Sequence, residues 1–386
     1  MLPEPTEFST APAPAPRAPE VETSPADAQR AGAALQALLG KIKRAAGQGR
    51  PLRLRGGGSK DFYGQRLHGE PLDLRPYAGV ASYQPSELVV TARAGTRLRD
   101  LEALLAAQGQ CLPFEPPHFS ASSTVGGMVA AGLSGPARAS AGAVRDYVLG
   151  VRIVNGRGQL LTFGGQVMKN VAGYDVSRLM AGSLGTLAAI VEVSLKVMPA
   201  APAQATLMFD LSETSARQQL NRWSGQPLPL NASCWSGGQL WVRLRGAQAA
   251  VAAACKSMSG QAMDEARAQR LWTALRDQTL PSLRLAPGQA LWRVSVPDTA
   301  PPLNLGPTLV EWHGAQRWVK LPPQEAPQVR AAAARAGGHA TLFRGGDGSA
   351  PVFTPLAEPL AGIHRRLKTE FDPAGIFNPG RMVAEF

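Results

Sequence analysis

The chain has 386 residues, of which 44% are hydrophobic and 18% charged, and a formal net charge of +12. That length exceeds one ordinary hydrophobic core, no apolar run approaches the roughly 18 residues that cross a bilayer, and the N-terminus lacks the order of a secretory leader, so a cytoplasmic protein of two modules is expected. The Lys and Arg residues are scattered, with no basic run and no nucleic-acid-binding motif; this excludes nucleic acid as the expected partner and leaves a basic surface that permits an acidic partner, an anionic substrate or peripheral attachment at the inner face of a membrane.

Residues 1–27 are rich in Pro, Ala, Thr and Glu without periodic apolar positions, and read as a disordered arm. From Ala28 to Ala46, the spacing of Leu35, Leu38, Leu39 and Ile42 predicts an amphipathic helix. A short strand then runs into "RGGGSK", residues 55–60. Strands are predicted at 72–74, 88–92 and 111–113, with a helix at 96–107 capped by the Thr96 hydroxyl and closed at Gly109. Asn155, Gly156, Arg157 and Gly158 between two apolar runs signal a hairpin, and 184–200 reads as a buried strand. All seven tryptophans fall between Trp223 and Trp318, which marks a second module whose core they pack. An Ala-rich helix at 327–336 belongs to it, and the tail pairs a basic helix with a Pro- and Gly-punctuated end.

Three segments are rich in small residues. In "RGGGSK", Arg55, Gly56, Gly57, Gly58, Ser59 and Lys60 form either a tight turn or a nest of main-chain amides for a phosphate, with a hydroxyl and an ammonium beside it; the spacing is neither a P-loop nor a Rossmann fingerprint. "PPHFSASSTVGGMVAAGLSGP", residues 116–136, sets Ser123 and Thr124 before Gly126 and Gly127, with Ala131, Ser134 and Gly135 behind; it is a close-approach surface for an extended ligand or a tightly packed helix. The third, 169–190, holds Lys169, a buried-looking Asp175, Gly182, Gly185 and Ile190. Together they would wrap one long polyanion. The three cysteines, Cys111, Cys234 and Cys255, and the five histidines show no metal-ligand spacing, so no metal site is expected and any iron–sulfur chemistry sits on another chain.

The order of "RGGGSK", "PFEPPHFSASSTVGGMVAAGLSGP", "RDYVLGVRIVNGRG", "GGQVMKNVAGYDVSRLMAGSLGTL" and "FDPAGIFNPGRM" resembles the flavoprotein family typified by vanillyl-alcohol oxidase and the D-lactate and D-2-hydroxyacid dehydrogenases. More closely, it is similar to the smaller FAD-binding subunits of bacterial glycolate oxidase, also called glycolate dehydrogenase. The resemblance implies an α+β fold: a two-lobed, PCMH-type FAD-binding domain at 28–200, a smaller α+β cap at 201–350, and a C-terminal segment at 351–386 that returns to the FAD domain. It implies FAD with its diphosphate on residues 55–59 and 123–127, Pro117 in the flavin segment, the stretch 182–190 toward the adenine and ribose, and Asn378 near the flavin ring. Ser59 stands where covalently flavinylated relatives carry His, so non-covalent attachment is expected, and Leu184 stands where many carry Glu.

Oxidising a 2-hydroxyacid takes a cation for the carboxylate, a base for the hydroxyl proton and a hydride acceptor. The tandem histidines that hold a metal in related dehydrogenases are missing near His339 and Asp347, which leaves Arg344 and His364 as the catalytic candidates. His118 reads as a structural or cofactor contact. The expected role is therefore an FAD-binding subunit acting on a small 2-hydroxyacid, beside a larger FAD-containing glycolate oxidase subunit and an iron–sulfur subunit. An autonomous D-2-hydroxyacid dehydrogenase and a non-catalytic assembly protein are the alternatives.

Overall fold

A computed structural model describes residues 21–22, 24–165 and 174–384; most of the arm expected at 1–27, and Lys169, lie outside the described residues. The first helix, Pro25–Gln48, begins before the predicted Ala28, because the Ser24 hydroxyl accepts a hydrogen bond from the Asp27 amide and Pro25 occupies the first turn. Ala31, Leu35, Leu38, Ile42 and Ala45 form its buried stripe, packed on Leu72, Val154, Val191 and Phe377. Gly32 lies on the opposite, exposed face, and nothing comes within 4 Å of where its Cβ would stand. Gly32→Ala is expected to raise stability by about 0.5–1 kcal/mol, read from the urea midpoint, through the smaller backbone entropy lost on ordering alanine.

The helix covers part of a six-stranded antiparallel sheet whose central strands are Val89–Arg93, Ala189–Lys196 and Val148–Val154. The strand expected at 88–92 starts one residue late because Leu88 turns the chain with φ at 56°. The Asn155 turn joins Val148–Val154 to Leu160–Gly164 as a hairpin, with Gly158 at φ 71°. Of the buried strand expected at 184–200, Ala189–Lys196 is realised; residues 184–188 form a turn instead. Thr96 does not cap the helix Leu98–Ala107. Its hydroxyl is spent on Gly79, accepting from the amide at 2.9 Å and donating to the carbonyl at 3.0 Å. Strand Gln110–Cys111 pairs with Met198–Pro199 rather than running on to Pro113.

The Trp-rich part of the chain builds an eight-stranded antiparallel sheet. Trp223, Trp272, Trp292, Trp312 and Trp318 are buried in its cores. One face is covered by helices such as Glu213–Ser224 and Ala326–Arg335; the other meets the first module through Tyr63, Ala131 and Leu133. The mixed helix and sheet content makes the fold α+β. After helix Leu360–Phe371 the chain returns to the start: the Leu52 amide donates to Ile376 O at 2.7 Å and the Asn378 amide to Leu52 O at 2.9 Å.

Candidate functional site

The parallel strand pair Leu52–Arg55 and Glu70–Asp73 delivers the glycine run to the edge of the first module. There residues 56–60 lie directly against 120–127. A Cβ on Gly57 would stand 1.6 Å from Ser122 O, and one on Gly56 would stand 2.2 Å from Thr124 Oγ1. Gly58 adopts φ 72°, with the Arg55 guanidinium folded over it. The glycines are thus required first by the contact of two loops, and the pair of loops then forms one wall of a cleft.

That cleft is lined by Arg55, the three glycines, Ser59, Lys60, Thr124, Gly127, Ala131, Leu184, Asn378 and Arg381. It shares Ser59 with an open cleft of about 610 Å³ walled by Phe62, His118, Phe119, Gln278 and Arg344, which is within the range of sites that take a flat ring system. Lys60 sits at the junction. Its Nζ donates to Ser123 Oγ at 2.9 Å and Ser59 Oγ at 3.3 Å, and no ion pair among the described residues includes it. Burial lowers its pKa from 10.5 to about 8. A buried ammonium held by two hydroxyls and no carboxylate has chemistry suited to an anion.

The remaining candidates divide. Thr124 caps helix Val125–Ala131 through the Gly127 amide, and Gly126 lets that helix close on Ala94. Gly182 and Gly185 have φ of 84° and 68° and shape the turn whose amides at 182 and 184 donate to Val129 O and Ala130 O. Those amides are engaged by the helix end and are not available to an adenine or ribose. Asn378 lines the cleft, but its side chain is a clip: Oδ1 accepts from the Leu54 amide at 2.8 Å and Nδ2 donates to Leu184 O at 2.6 Å. Pro117, Ser134 and Gly135 line a second, smaller cavity beneath the eight-stranded sheet.

Three candidates lie outside these cavities, and one expectation, a buried Asp175, is corrected. Asp175 is exposed, its carboxylate caps helix Val176–Met180 and pairs with Arg178 at 3.3 Å, and it is not among the residues lining the cleft. Ile190 is a core residue of the six-stranded sheet, paired with Ile153. His364, half-buried on helix Leu360–Phe371, lines none of these cavities, whereas Arg344 does, with its guanidinium 4.6 Å from the Phe62 ring centre and 5.6 Å from that of Phe119. The His118 amide donates to Asp277 Oδ1 at 2.9 Å, which ties the first module to the second, and its ring Nε2 lies 2.8 Å from Glu102 Oε2 without hydrogen-bond geometry. Sequence reasoning missed Arg381, whose guanidinium donates to the carbonyls of Asp61, Tyr63 and Gln65 and so braces the loop behind Lys60.

Residues 34–164 match the family model of the FAD binding domain, and residues 355–382 match that of the C-terminal domain of FAD linked oxidases. Along 350 residues the chain is 46% identical to glycolate oxidase subunit GlcE of Escherichia coli strain K12, covering 91% of this chain and 97% of that protein. The chain belongs to the GlcE family. This GlcE-family chain is also 33% identical over 121 residues to glycolate oxidase subunit GlcD of Bacillus subtilis strain 168, a match to 31% of this chain and 26% of that one. In fold it is similar to alkyldihydroxyacetonephosphate synthase, with a TM-score of 0.60 at 17% identity, over 89% of this chain and 74% of that one.

FAD is the cofactor of this family, and the residues present fit it: the Lys60 ammonium, held by two hydroxyls and in no ion pair among the described residues, suits a diphosphate, and the aromatic-walled cleft beyond Ser59 suits a ring. The Lys60 shift has a signed consequence. The folded, ligand-free protein holds this proton less tightly than the unfolded chain, so the stability due to Lys60 is lowest below pH 8 and rises between about pH 8 and 10.5, by at most about 3 kcal/mol. An anion at Nζ raises the pKa again, so FAD affinity is expected to fall as pH rises above about 8. In Lys60→Met, flavin release measured by fluorescence should lose that pH dependence and show affinity at least tenfold weaker at pH 7.

Proposed function

We propose that this chain is the FAD-binding subunit of a multi-subunit glycolate oxidase that converts glycolate to glyoxylate, working beside a larger FAD-containing chain and passing electrons to an iron–sulfur chain. The observation that carries the reading is the convergence of the glycine loop, the 123–131 segment and the C-terminal Asn378 around the unpaired Lys60 ammonium, in a chain 46% identical to a glycolate oxidase subunit over nearly its whole length. Bound there, FAD supplies the hydride acceptor. Lys60, Ser59 and Ser123 hold the diphosphate charge, Thr124 and Gly127 set the helix entrance beside it, and the clip at Asn378 keeps the loops in register. Ser59 offers a hydroxyl and no ring nitrogen for a bond to the flavin, which supports non-covalent attachment. Arg344, stacked on two phenyl rings beside Ser59 and in no ion pair among the described residues, supports a small acid reaching this chain directly. No helix among the described residues is long and apolar enough to cross a membrane, and peripheral attachment through the basic surface is part of the proposal.

The test is anaerobic titration of the purified chain, alone and with its partner chains, with glycolate while the visible spectrum is recorded. Yellow flavin absorbance in the isolated chain, bleached by glycolate in the assembled enzyme, is the expected result. A chain isolated gently and reconstituted with excess FAD that holds no flavin overturns the proposal.

A further inference from the structure

Three residues with strained backbone sit at the contact between the two modules. Trp312 and His313, at φ 52° and 56°, are the one pair of adjacent non-glycine residues in the left-handed region among the described residues, and Gly314 follows at 111°. Glu115, across the contact, has φ 48°. Side chains of this bulk disfavour that conformation, and it persists where surrounding bonds over-determine it. Here those bonds cross between modules. Trp312 Nε1 donates to Gly135 O at 3.0 Å, and the Arg138 guanidinium lies 4.7 Å from the Trp312 ring centre. The Glu115 carboxylate accepts from Arg243 Nη2 at 2.7 Å on the second module and from the Ala137 amide at 3.2 Å on its own.

The His313 ring completes the contact. The His313 amide donates to Ser233 Oγ at 3.0 Å, Nδ1 lies 3.0 Å from the same oxygen, and Nε2 lies 3.1 Å from Ser140 Oγ of the first module. Ser233 is buried, and the acceptor its hydroxyl proton meets is Nδ1, so the neutral ring carries its own proton on Nε2 and donates it to Ser140. An imidazolium donates at both nitrogens, which strands the Ser233 proton and places a charge in a buried site. Burial accordingly lowers the His313 pKa from 6.5, against the pull of the Asp298 carboxylate. The other titratable groups that the elements packed on this turn bring to it are Arg138, Glu213, Arg217, Cys234, Glu311 and Arg317, with Glu213 and Arg317 paired at 3.0 Å. Because the fold favours the neutral ring, the stabilisation it gives is present above pH 6.5 and is lost as pH falls toward the lowered value.

Both walls of the cofactor clefts leave from this junction. The Gly135 amide donates to Phe114 O at 2.9 Å, which joins the two stretches that Trp312 and Arg243 hold. From Glu115 the chain runs forward into residues 118–121, which line the cleft beside Arg344, and from Gly135 it runs back to helix Val125–Ala131, which lines the cleft of Lys60. We propose that Trp312 and His313 are positioning residues that latch the cofactor-binding part of the first module onto the second, so that FAD is held tightly while the His313 ring is neutral and is released faster once that ring gains a proton. The proposal rests on the reading of the chain as an FAD-binding subunit and gives that reading an acid-sensitive hold on its cofactor, supplied by a turn that lines none of the clefts assigned to FAD. Protonation of His313 and deprotonation of Lys60 act at opposite ends of the pH range, so the two effects are separable.

The rate of flavin release from the full FAD-loaded chain, followed by the rise in flavin fluorescence from about pH 7.5 down to about pH 5, tests this. Wild type should release flavin about tenfold faster at the acid end. Trp312→Phe keeps a ring and loses the Nε1 donor, and should release flavin about tenfold faster already at the neutral end, the effect of one buried hydrogen bond. His313→Asn tolerates left-handed backbone and still offers Ser233 an acceptor but has no titrating ring, so its release rate should be flat over the range. A residue that only supports the fold would move the urea midpoint and leave this pH profile in place. Release that quickens in acid as much in His313→Asn as in wild type, a wild-type rate independent of pH, or an unchanged rate in Trp312→Phe overturns the proposal. Should His313→Asn fail to fold, the rate in Trp312→Phe at the neutral end decides the matter. A wild-type chain that holds no FAD would instead overturn the proposed function, so the two failures are distinguishable.

Discussion

Gly57→Ala is expected to abolish FAD retention and to destabilise the first module by about 3 kcal/mol, the upper part of the range for overpacking a close contact. The added methyl would sit 1.6 Å from the main-chain oxygen of Ser122, and a backbone atom has no rotamer by which to escape. The loops must separate, and that removes Ser123 from Lys60 and opens the cleft wall. Flavin absorbance per chain after desalting should fall at least tenfold, with a matching drop in the urea midpoint. Gly47→Ala, on the first helix, is the control: nothing lies within 4 Å of where its Cβ would stand. Equal flavin content in Gly57→Ala and wild type would show that the loop contact does not shape the cofactor site.

Lys368→Met should cost about 3–5 kcal/mol, the loss expected when one partner of a buried ion pair is removed. Lys368 and Asp372 are both buried, one turn apart on and just after helix Leu360–Phe371, with Nζ 2.7 Å from Oδ2. The ammonium also donates to Thr186 O at 2.7 Å and Phe377 O at 2.9 Å, while the carboxylate accepts from the amides of Ile376 and Phe377. This one cation therefore ties the last helix, the 183–187 turn and the tail that presents Asn378. Removing it leaves a buried carboxylate and two carbonyls short of a donor. Urea unfolding should show the loss, and Lys368→Met combined with Asp372→Asn should recover part of it. A loss under 1 kcal/mol in the single variant would mean that water reaches this junction.

Local patterns carried much of the fold. The first helix, the Asn155 hairpin and the central strands follow from apolar spacing and turn residues within a few positions of one another, and the structure moves their ends only where a cap or a left-handed residue intervenes, as at Ser24 and Leu88. The cleft was legible for a related reason: small residues clustered in three segments had to meet something at close range. What they meet was not legible. Asp175 had the look of a buried carboxylate, yet a polar residue before a short helix serves equally as an exposed cap.

By itself the sequence determined that this protein has glycine-rich loops with a hydroxyl and an ammonium beside them, because backbone freedom and charge are properties of residue types in a run. Tertiary structure alone decided that Gly57 answers to Ser122, that Asn378 clips two loops together, and that Arg293 and Glu311 share one cavity. Those partners come from distant stretches of chain, and strand register, set by whole-sheet pairing, is what turns a charged side chain toward a cavity or away from it.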